Sequence, residues 1–210
     1  LSPSLTGTVD EDGVVEGTAD AGPGDGIAVT QPGDVDGAAT QATGSVTTMF
    51  QSGADEALTY GLATDAVATL QALNLKSGGV ALSYAVVDDT VTASTAAGTV
   101  FTFQVTSGGT YTFTLVDQLD HASGGNENDL LINLGAVVAA TDKDGDTVNG
   151  NAASLVITVN DDMPVATVVT LGGTVDEDGV REGAADTGPG DGIAGGVGDV
   201  LGEATVASGS

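Results

Sequence analysis

The sequence predicts an all-β fold, an antiparallel β-sandwich, from three observations. Short segments rich in Val and Thr alternate apolar with polar residues, as half-buried strands do. Turns rich in Gly and Asp separate these segments, and 33 of the 210 residues are Gly. The strands do not alternate regularly with helices, as a parallel sheet would require. A hydrophobic fraction of 40% supplies enough apolar surface for a core.

The first predicted strands are Ala57 to Thr64 and Val67 to Leu75. The stretch from Ala63 to Leu73 also fits a short helix, so the assignment of the second strand stays open. Next come Val80 to Val87 and Thr90 to Thr95. Two Asp residues join them, a connection of the length that β-hairpins use. This pair is therefore predicted to form a hairpin.

A second hairpin is predicted on either side of a Ser-Gly-Gly turn. Apolar residues alternate with polar ones from Phe101 to Val105 and again from Tyr111 to Leu115. The apolar side chains of the two strands would therefore share one face. Further strands are predicted at Leu130 to Ala140, Ser154 to Val159 and Val165 to Leu171.

An internal repeat organises the chain. The block from Gly7 to Ala28 matches the block from Gly173 to Ala194 at 19 of 22 positions, which gives a period of 166 residues. Because this period exceeds the ~20–50 residues of a solenoid unit, each copy is interpreted as a domain of a tandem array. The runs Gly13 to Gly37 and Gly179 to Gly202, rich in Gly, Pro and Asp, are predicted to be long loops that a ligand or partner orders.

The repeat predicts one module and the start of another. We assign residues 1–163 to the first module and residues 164–210 to the opening segment of the next. An alternative phase stays open, in which the sandwich begins after Ser45 and takes Val165 to Ser210 as its last strands. Near-identical copies favour a repetitive task, such as length, spacing or multivalency, over a single active site.

Charge and composition exclude several classes of function. The chain has 30 acidic and 3 basic residues, a formal net charge of −27, which makes nucleic acid or an anionic membrane a very poor partner. The absence of Cys excludes disulfides, thiolate zinc sites and thiol nucleophiles. With four Phe, three Tyr and no Trp, little material remains for a sugar-binding or nucleotide-binding cleft. No apolar run approaches the ~18 residues that a membrane span needs.

The strongest candidate for metal binding is the run Asp142-Lys-Asp144-Gly-Asp146. Three carboxylates at alternate positions of a loop can turn several oxygens toward one Ca²⁺ ion. An EF-hand is rejected, because Gly145 stands at the fourth position rather than the sixth and Ala153 occupies the twelfth. The alternative interpretation is an ordinary polar turn in which Asp side chains cap their own backbone.

Further acidic residues crowd the join between the two copies of the repeat. Calcium at this join would convert a flexible hinge into a rod whose stiffness depends on calcium concentration. The alternative is a solvated acidic linker. The candidate ligands are Asp10, Glu11 and Asp12, their copies Asp176, Glu177 and Asp178, and Asp161 and Asp162 just before the second copy.

The segment around His121 offers weaker candidates. His121 follows Asp120, a pair that resembles a base held by an acid, but no nucleophile motif lies nearby. We therefore expect a histidine that packs in a loop, and no catalysis. The run GGNENDLLI fits an RTX nonapeptide except for Glu127, and one copy cannot build a β-roll. This loop could hold an ion of its own through Asp117, Asp120, Glu127 or Asp129.

Six motifs follow one another along the period: DEDG, LSYAVVDDTVTA, TYTFTLVDQLDH, GGNENDLLINLG, ATDKDGDTV and LVITVNDDMPVA. Together they resemble the long tandem extender repeats of giant RTX adhesins, which Gram-negative bacteria secrete through type I systems. The resemblance implies immunoglobulin-like β-sandwich modules that calcium orders. It matches Asp142, Asp144 and Asp146 to the family's DxDGD loop, and Asp161 and Asp162 to its DDxP junction.

Residues and resemblance together predict a calcium-binding spacer repeat of a large adhesin at the bacterial cell surface. Such a repeat projects a distal ligand-binding region for attachment and biofilm formation. The expected partners are neighbouring repeats of the same chain, with the chain otherwise monomeric and not inserted in a membrane. The alternative is a module whose Gly/Asp loops use calcium to bind a carbohydrate or surface ligand.

Overall fold

The computed structural model describes residues 5–15, 18–19, 40–53, 57–123, 128–161, 180–181 and 184–185. By its contacts the chain divides into two compact units, Leu1–Val165 and Ala166–Ser210. The module boundary after residue 163 and the alternative phase that starts after Ser45 stay predictions. Within the described residues, no helix is long and apolar enough to cross a membrane.

The all-β prediction is confirmed, because strands dominate the described residues and most of them pair antiparallel. One short helix, α1 (Ala66–Ala72), and four 3₁₀ turns (Glu11–Gly13, Thr47–Met49, Gly135–Val137 and Ala152–Ser154) accompany the strands. In chain order the strands are β1 (Leu5–Asp10), β2 (Val14–Val15), β3 (Thr18–Ala19), β4 (Gln41–Ser45), β5 (Thr59–Leu62), β6 (Lys76–Ser77), β7 (Val80–Ala81), β8 (Ser83–Val87), β9 (Thr90–Ser94), β10 (Thr99–Val105), β11 (Thr110–Leu115), β12 (Leu130–Asn133), β13 (Val138–Thr141), β14 (Thr147–Asn149), β15 (Leu155–Asn160), β16 (Val180–Arg181) and β17 (Ala184–Ala185).

Three larger sheets build the first unit. The five-stranded sheet has the order β4-β11-β10-β9-β8 and is antiparallel throughout. A three-stranded sheet, β14-β13-β5, is also antiparallel. In the third sheet, β1-β15-β12, the first strand pairs parallel with β15, which in turn pairs antiparallel with β12. The beginning and the end of the described part of this unit therefore lie side by side.

The predicted hairpin β8–β9 forms with the turn that the sequence indicates. The two strands pair antiparallel up to the residues that flank Asp88 and Asp89. Asp88 has a φ of 53°, a left-handed conformation that Asp tolerates better than most residues. The side chain of Asp89 accepts hydrogen bonds from Gln104 Nε2 and Thr90 Oγ1, both at 3.1 Å.

The predicted hairpin β10–β11 supplies the centre of the core. Phe101 lies opposite Leu115 and Phe103 lies opposite Phe113, so the apolar residues of both strands share one face, as predicted. All four side chains are fully buried. The rings of Phe101 and Phe113 stack with their centroids 5.0 Å apart.

Two predicted strands are interrupted. Leu130 to Ala140 as one strand is wrong, because the 3₁₀ turn Gly135–Val137 divides it into β12 and β13, which belong to different sheets. At Gly135 the chain passes so close to the Asn151 carbonyl that a Cβ atom would clash. The strand Val80 to Val87 is broken at Leu82, whose N–H donates to the Leu75 carbonyl.

The strand predicted over Val67 to Leu75 is wrong, and the helix left open as its alternative is confirmed as α1. Ala66 and Leu70, four residues apart, are 1% and 0% exposed and so share the buried face of this helix. The strand predicted at Val165 to Leu171 lies outside the described residues.

One hydrophobic core joins the three larger sheets, because Val9 and Ile157, Phe113 and Val138 belong to the same cluster of buried side chains. The sheet that contains β1 lies close to the five-stranded sheet at Gly7. A Cβ atom there would lie 2.8 Å from Ala42 Cβ and 2.9 Å from Ile157 Cδ1. Gly7, the first residue of the repeated block, therefore permits the close approach of β1 to β4.

Candidate metal sites

The first candidate site is the aspartate loop, residues Asp142 to Asp146, which connects β13 to β14. Thr141 pairs with Thr147 across the two strands, and their hydroxyl oxygens lie 2.9 Å apart. The five residues between them therefore form a hairpin loop closed by the sheet. One oxygen from each of Asp142, Asp144 and Asp146 lies within 4.8 Å of the other two.

Backbone hydrogen bonds give the aspartate loop its shape. Asp142 Oδ1 accepts from Gly145 N at 3.1 Å and from Asp146 N at 2.8 Å. Asp142 N donates to the Asp146 carbonyl at 3.0 Å. Gly145 has a φ of 100°, a backbone conformation that glycine adopts at little cost. Asp142 thus caps its own turn, as the polar-turn interpretation predicts, while the loop still gathers three carboxylates.

Like charge within the aspartate loop changes the affinity of its carboxyl groups for protons. The pKa of Asp144 is raised because its carboxyl hydrogen-bonds to Asp142 in the protonated form and because the Asp142 charge repels its own. The pKa of Asp142 is lowered by that same hydrogen bond from Asp144 and by the backbone N–H groups of Asp146 and Gly145. A divalent cation would stabilise both carboxylates in their ionised form.

The second candidate site is the strand-end cluster, which we define as Glu11, His121 and Asp161. The parallel register of β1 and β15 ends with Asp10 beside Asn160, so the next residues, Glu11 and Asp161, leave the sheet at the same edge. One ligand atom from each member of the cluster lies within 4.8 Å of the other two. The cluster combines two oxygen donors with one imidazole nitrogen.

Glu11 is the anchor of the strand-end cluster. Its side chain is 3% exposed, and its Oε1 accepts a hydrogen bond from Leu119 N at 2.7 Å. The same oxygen lies 3.3 Å from His121 Nε2. Burial raises the pKa of Glu11 to about 7, although the Leu119 N–H and the nearby imidazole act in the opposite direction. An ionised Glu11 therefore requires a cationic neighbour.

His121 packs in the loop after β11, as the sequence analysis expects, and does not pair with Asp120. The carboxylate of Asp120 instead accepts from Gly79 N at 2.9 Å and 3.2 Å. The side chain of His121 is 4% exposed, and its Nδ1 lies 2.8 Å from the Asn128 carbonyl oxygen. The ring is therefore fixed from one side by the backbone and faces Glu11 with its other nitrogen.

The weaker candidates near His121 do not gather at one site. Asp117 Oδ1 accepts from Gln118 N at 2.9 Å, and Asp129 Oδ1 accepts from Asn160 Nδ2 at 2.6 Å. Asp117, Asp120 and Asp129 therefore each accept a hydrogen bond from a different donor. Glu127 lies outside the described residues.

Of the residues predicted at the join between repeats, the structure brings Glu11 and Asp161 together within one unit. Sequence reasoning instead placed Asp161 and Asp162 next to the second copy of the acidic motif. It also missed His121 as their neighbour. No local pattern in the sequence indicates this neighbourhood, because it depends on the parallel pairing of β1 with the distant strand β15.

The other predicted ligands cannot be placed. The Asp12 side chain is not described, although its backbone lies in the 3₁₀ turn Glu11–Gly13. Calcium at the join between modules stays a prediction, because the following residues lie outside the described part of the chain: Asp162, Asp176, Glu177 and Asp178.

Comparison of the chain with models of protein families, with curated proteins and with solved structures finds no match. The resemblance to extender repeats of RTX adhesins therefore rests on the six ordered motifs alone.

Proposed function

We propose that the chain is a calcium-binding spacer repeat of a large secreted bacterial adhesin, with an immunoglobulin-like sandwich as its module. In this role it holds a distal ligand-binding region away from the cell surface and performs no catalysis. The observation that supports the proposal best is the convergence of Asp142, Asp144 and Asp146 in the aspartate loop. The adhesin context comes from the ordered motifs.

Calcium suits the aspartate loop for physical reasons. Ca²⁺ takes six to eight oxygen ligands in flexible geometries, whereas Mg²⁺ demands a near-octahedral arrangement and keeps several waters. An exposed loop with three carboxylates can add backbone carbonyls and waters to complete an irregular shell. Two of the three aspartates, Asp144 and Asp146, are exposed, so calcium can enter from solvent.

A structural repetition supports the role of a spacer. Near the start of the chain β2 and β3 pair with Val14 opposite Ala19. In the second unit β16 and β17 pair with Val180 opposite Ala185, which is the same register 166 residues later. The two copies of the repeated block therefore form equivalent short hairpins, as modules of a tandem array would.

Stiffening of the array is proposed to occur where modules join. Calcium bound by Asp162 and by the acidic motif Asp176 to Asp178 would fasten one repeat to the next. At a calcium concentration about 100 times the Kd, one such site would stabilise the bound form by about 2.7 kcal/mol. An array of these repeats would then lengthen and stiffen as calcium rises.

The test is thermal unfolding of the 210-residue chain across calcium concentrations, with magnesium as the control ion and small-angle scattering at both extremes. We expect a calcium-specific rise in Tm and an extended particle. Asp144→Asn should reduce the rise, whereas the matched variant Asp117→Asn, which removes an equal charge from another loop, should keep it. If neither stability nor shape responds to calcium, the spacer proposal is wrong.

A ligand screen separates the spacer from the alternative role. A spacer should show no calcium-dependent retention on a glycan array or in a cell-adhesion assay. Reproducible retention that chelator abolishes would instead support a calcium-dependent ligand-binding module.

A further inference from the structure

We propose that the strand-end cluster is a second metal site, which takes a divalent transition ion such as Zn²⁺ in preference to calcium. The site consists of the Glu11 and Asp161 carboxylates and the Nε2 atom of His121. It is separate from the aspartate loop in position and in donor chemistry, and it does not depend on the spacer role.

The hydrogen bond behind the imidazole determines which nitrogen carries the proton. A carbonyl oxygen only accepts, so the contact of 2.8 Å between Nδ1 of His121 and the Asn128 oxygen requires a proton on Nδ1. In the neutral ring, Nε2 then presents a lone pair to Glu11 Oε1, 3.3 Å away. Two acceptors thus face each other in a buried place, and this contact is favourable only with a cation or a proton between them.

The distance between these two acceptors suits a metal ion. Zn–N and Zn–O bonds are each about 2.0–2.1 Å long, so two ligand atoms on a tetrahedral ion lie about 3.3 Å apart. Glu11 Oε1 and His121 Nε2 are separated by 3.3 Å. A charge-assisted hydrogen bond between the same atoms would usually be shorter, about 2.7–2.9 Å. The separation is compatible with two ligands of one ion, and a proton shared between the two atoms is the competing arrangement that the experiment below tests.

The surrounding structure holds the ligands in place. Leu119 N donates to Glu11, and the register of β1 on β15 brings Asp161 to the same edge. A backbone carbonyl that accepts from the far nitrogen of a ligating histidine is the usual support of a zinc ligand. The Glu11 and His121 side chains are 3% and 4% exposed, so the site is largely shielded from water.

The donor set decides between metals. Imidazole nitrogen suits Zn²⁺, Cu²⁺ and Ni²⁺, while calcium binds almost only oxygen and needs six or more ligands. Three protein ligands leave a fourth tetrahedral position for water. Two carboxylates and a neutral imidazole bring a charge of −2, which one divalent ion cancels. The ion would fasten the end of β1, the loop after β11 and the end of β15 to one another.

The test titrates the metal-free chain with Zn²⁺ in millimolar calcium, followed by calorimetry. We expect saturation at one Zn²⁺ per chain. His121→Gln should weaken binding at least about tenfold, since it removes the only nitrogen ligand. The matched variant Asp120→Asn changes the neighbouring residue, whose carboxylate bonds Gly79 N rather than the cluster, and should bind Zn²⁺ normally. Asp142→Asn should also keep zinc binding.

Absence of saturable binding overturns the proposal, as does zinc binding that His121→Gln leaves within twofold of the original. Should His121→Gln fail to fold, NMR of the unmodified chain decides, because it contains a single histidine. Zn²⁺ should shift the Nε2 resonance while Nδ1 keeps its proton. An imidazole that stays protonated on both nitrogens in excess Zn²⁺ means that a proton fills the gap, and the metal site is then rejected whatever calcium does at the aspartate loop.

Discussion

The aspartate loop and the strand-end cluster both gather carboxylates, but the chain assembles them in opposite ways. Five consecutive residues at the solvent-exposed end of a hairpin form the aspartate loop. The strand-end cluster joins three segments that are 40 to 150 residues apart in sequence, and its anchor, Glu11, is 3% exposed. The first is a local feature of one turn, whereas the second exists only after the unit has folded.

This difference has energetic consequences. An acid in an exposed loop stays hydrated, so its removal costs little unless a ligand is bound. An acid held in a buried cluster satisfies donors that water cannot reach, and its removal leaves them without an acceptor. The two sites should therefore respond differently to truncation, backbone change and pH.

The largest expected effect is that of Glu11→Ala. In metal-free conditions it should lower the free energy of unfolding by about 3 kcal/mol, because the Leu119 N–H and the His121 ring lose their shared buried partner. Urea unfolding followed by circular dichroism measures this loss. Asp142→Ala, which removes a half-buried acid and its turn caps, should cost less, because solvent can hydrate the N–H groups of Gly145 and Asp146 that it releases. Equal losses for both variants would contradict the distinction between the sites.

A second prediction concerns the strand that carries Glu11. Gly7→Ala should lower the free energy of unfolding by about 1–3 kcal/mol, because the new methyl group would overlap Ala42 and Ile157 and push β1 away from the core. The matched control is Gly61→Ala in β5, where a Cβ atom meets nothing within 4 Å. Thermal unfolding of both variants compares them. A loss of stability in Gly61→Ala as large as in Gly7→Ala would show that strand propensity, not close approach, governs the result.

Local patterns predicted the local features of this molecule. The hairpins β8–β9 and β10–β11 follow from alternation and turn residues, and the aspartate loop follows from three acids within five positions. The strand-end cluster could not be predicted in this way. It depends on the parallel pairing of Leu5 with Leu155, and no local pattern specifies which distant strand β1 joins. His121 likewise acquires its role only when the fold brings Glu11 to it.

Backbone geometry provides a third, smaller effect at the aspartate loop. Gly145→Ala should destabilise the hairpin by about 1 kcal/mol, because a residue with a Cβ atom is strained at a φ of 100°. The added atom meets no neighbour within 4 Å, so the cost comes from the backbone alone. Calcium titration should show weaker binding in this variant, with zinc binding unchanged. Gly108→Ala, in a turn where φ is not positive, is the control and should leave calcium binding intact.

The smallest expected effect concerns Asp89, a half-buried acid that has hydrogen-bond donors rather than acids as neighbours. Hydrogen bonds from Gln104 and Thr90 lower its pKa below the usual value for Asp. Because the folded pKa is the lower one, these bonds stabilise the fold above the unfolded pKa of about 3.9, and this contribution is lost as pH falls through the folded pKa. In Gln104→Ala, the pKa of the Asp89 carboxyl, measured by NMR titration, should rise. An unchanged pKa would show that the hydrogen bond from Gln104 does not lower the pKa of Asp89. Charge repulsion between neighbouring acids would then be the main cause of pKa shifts in the acidic turns.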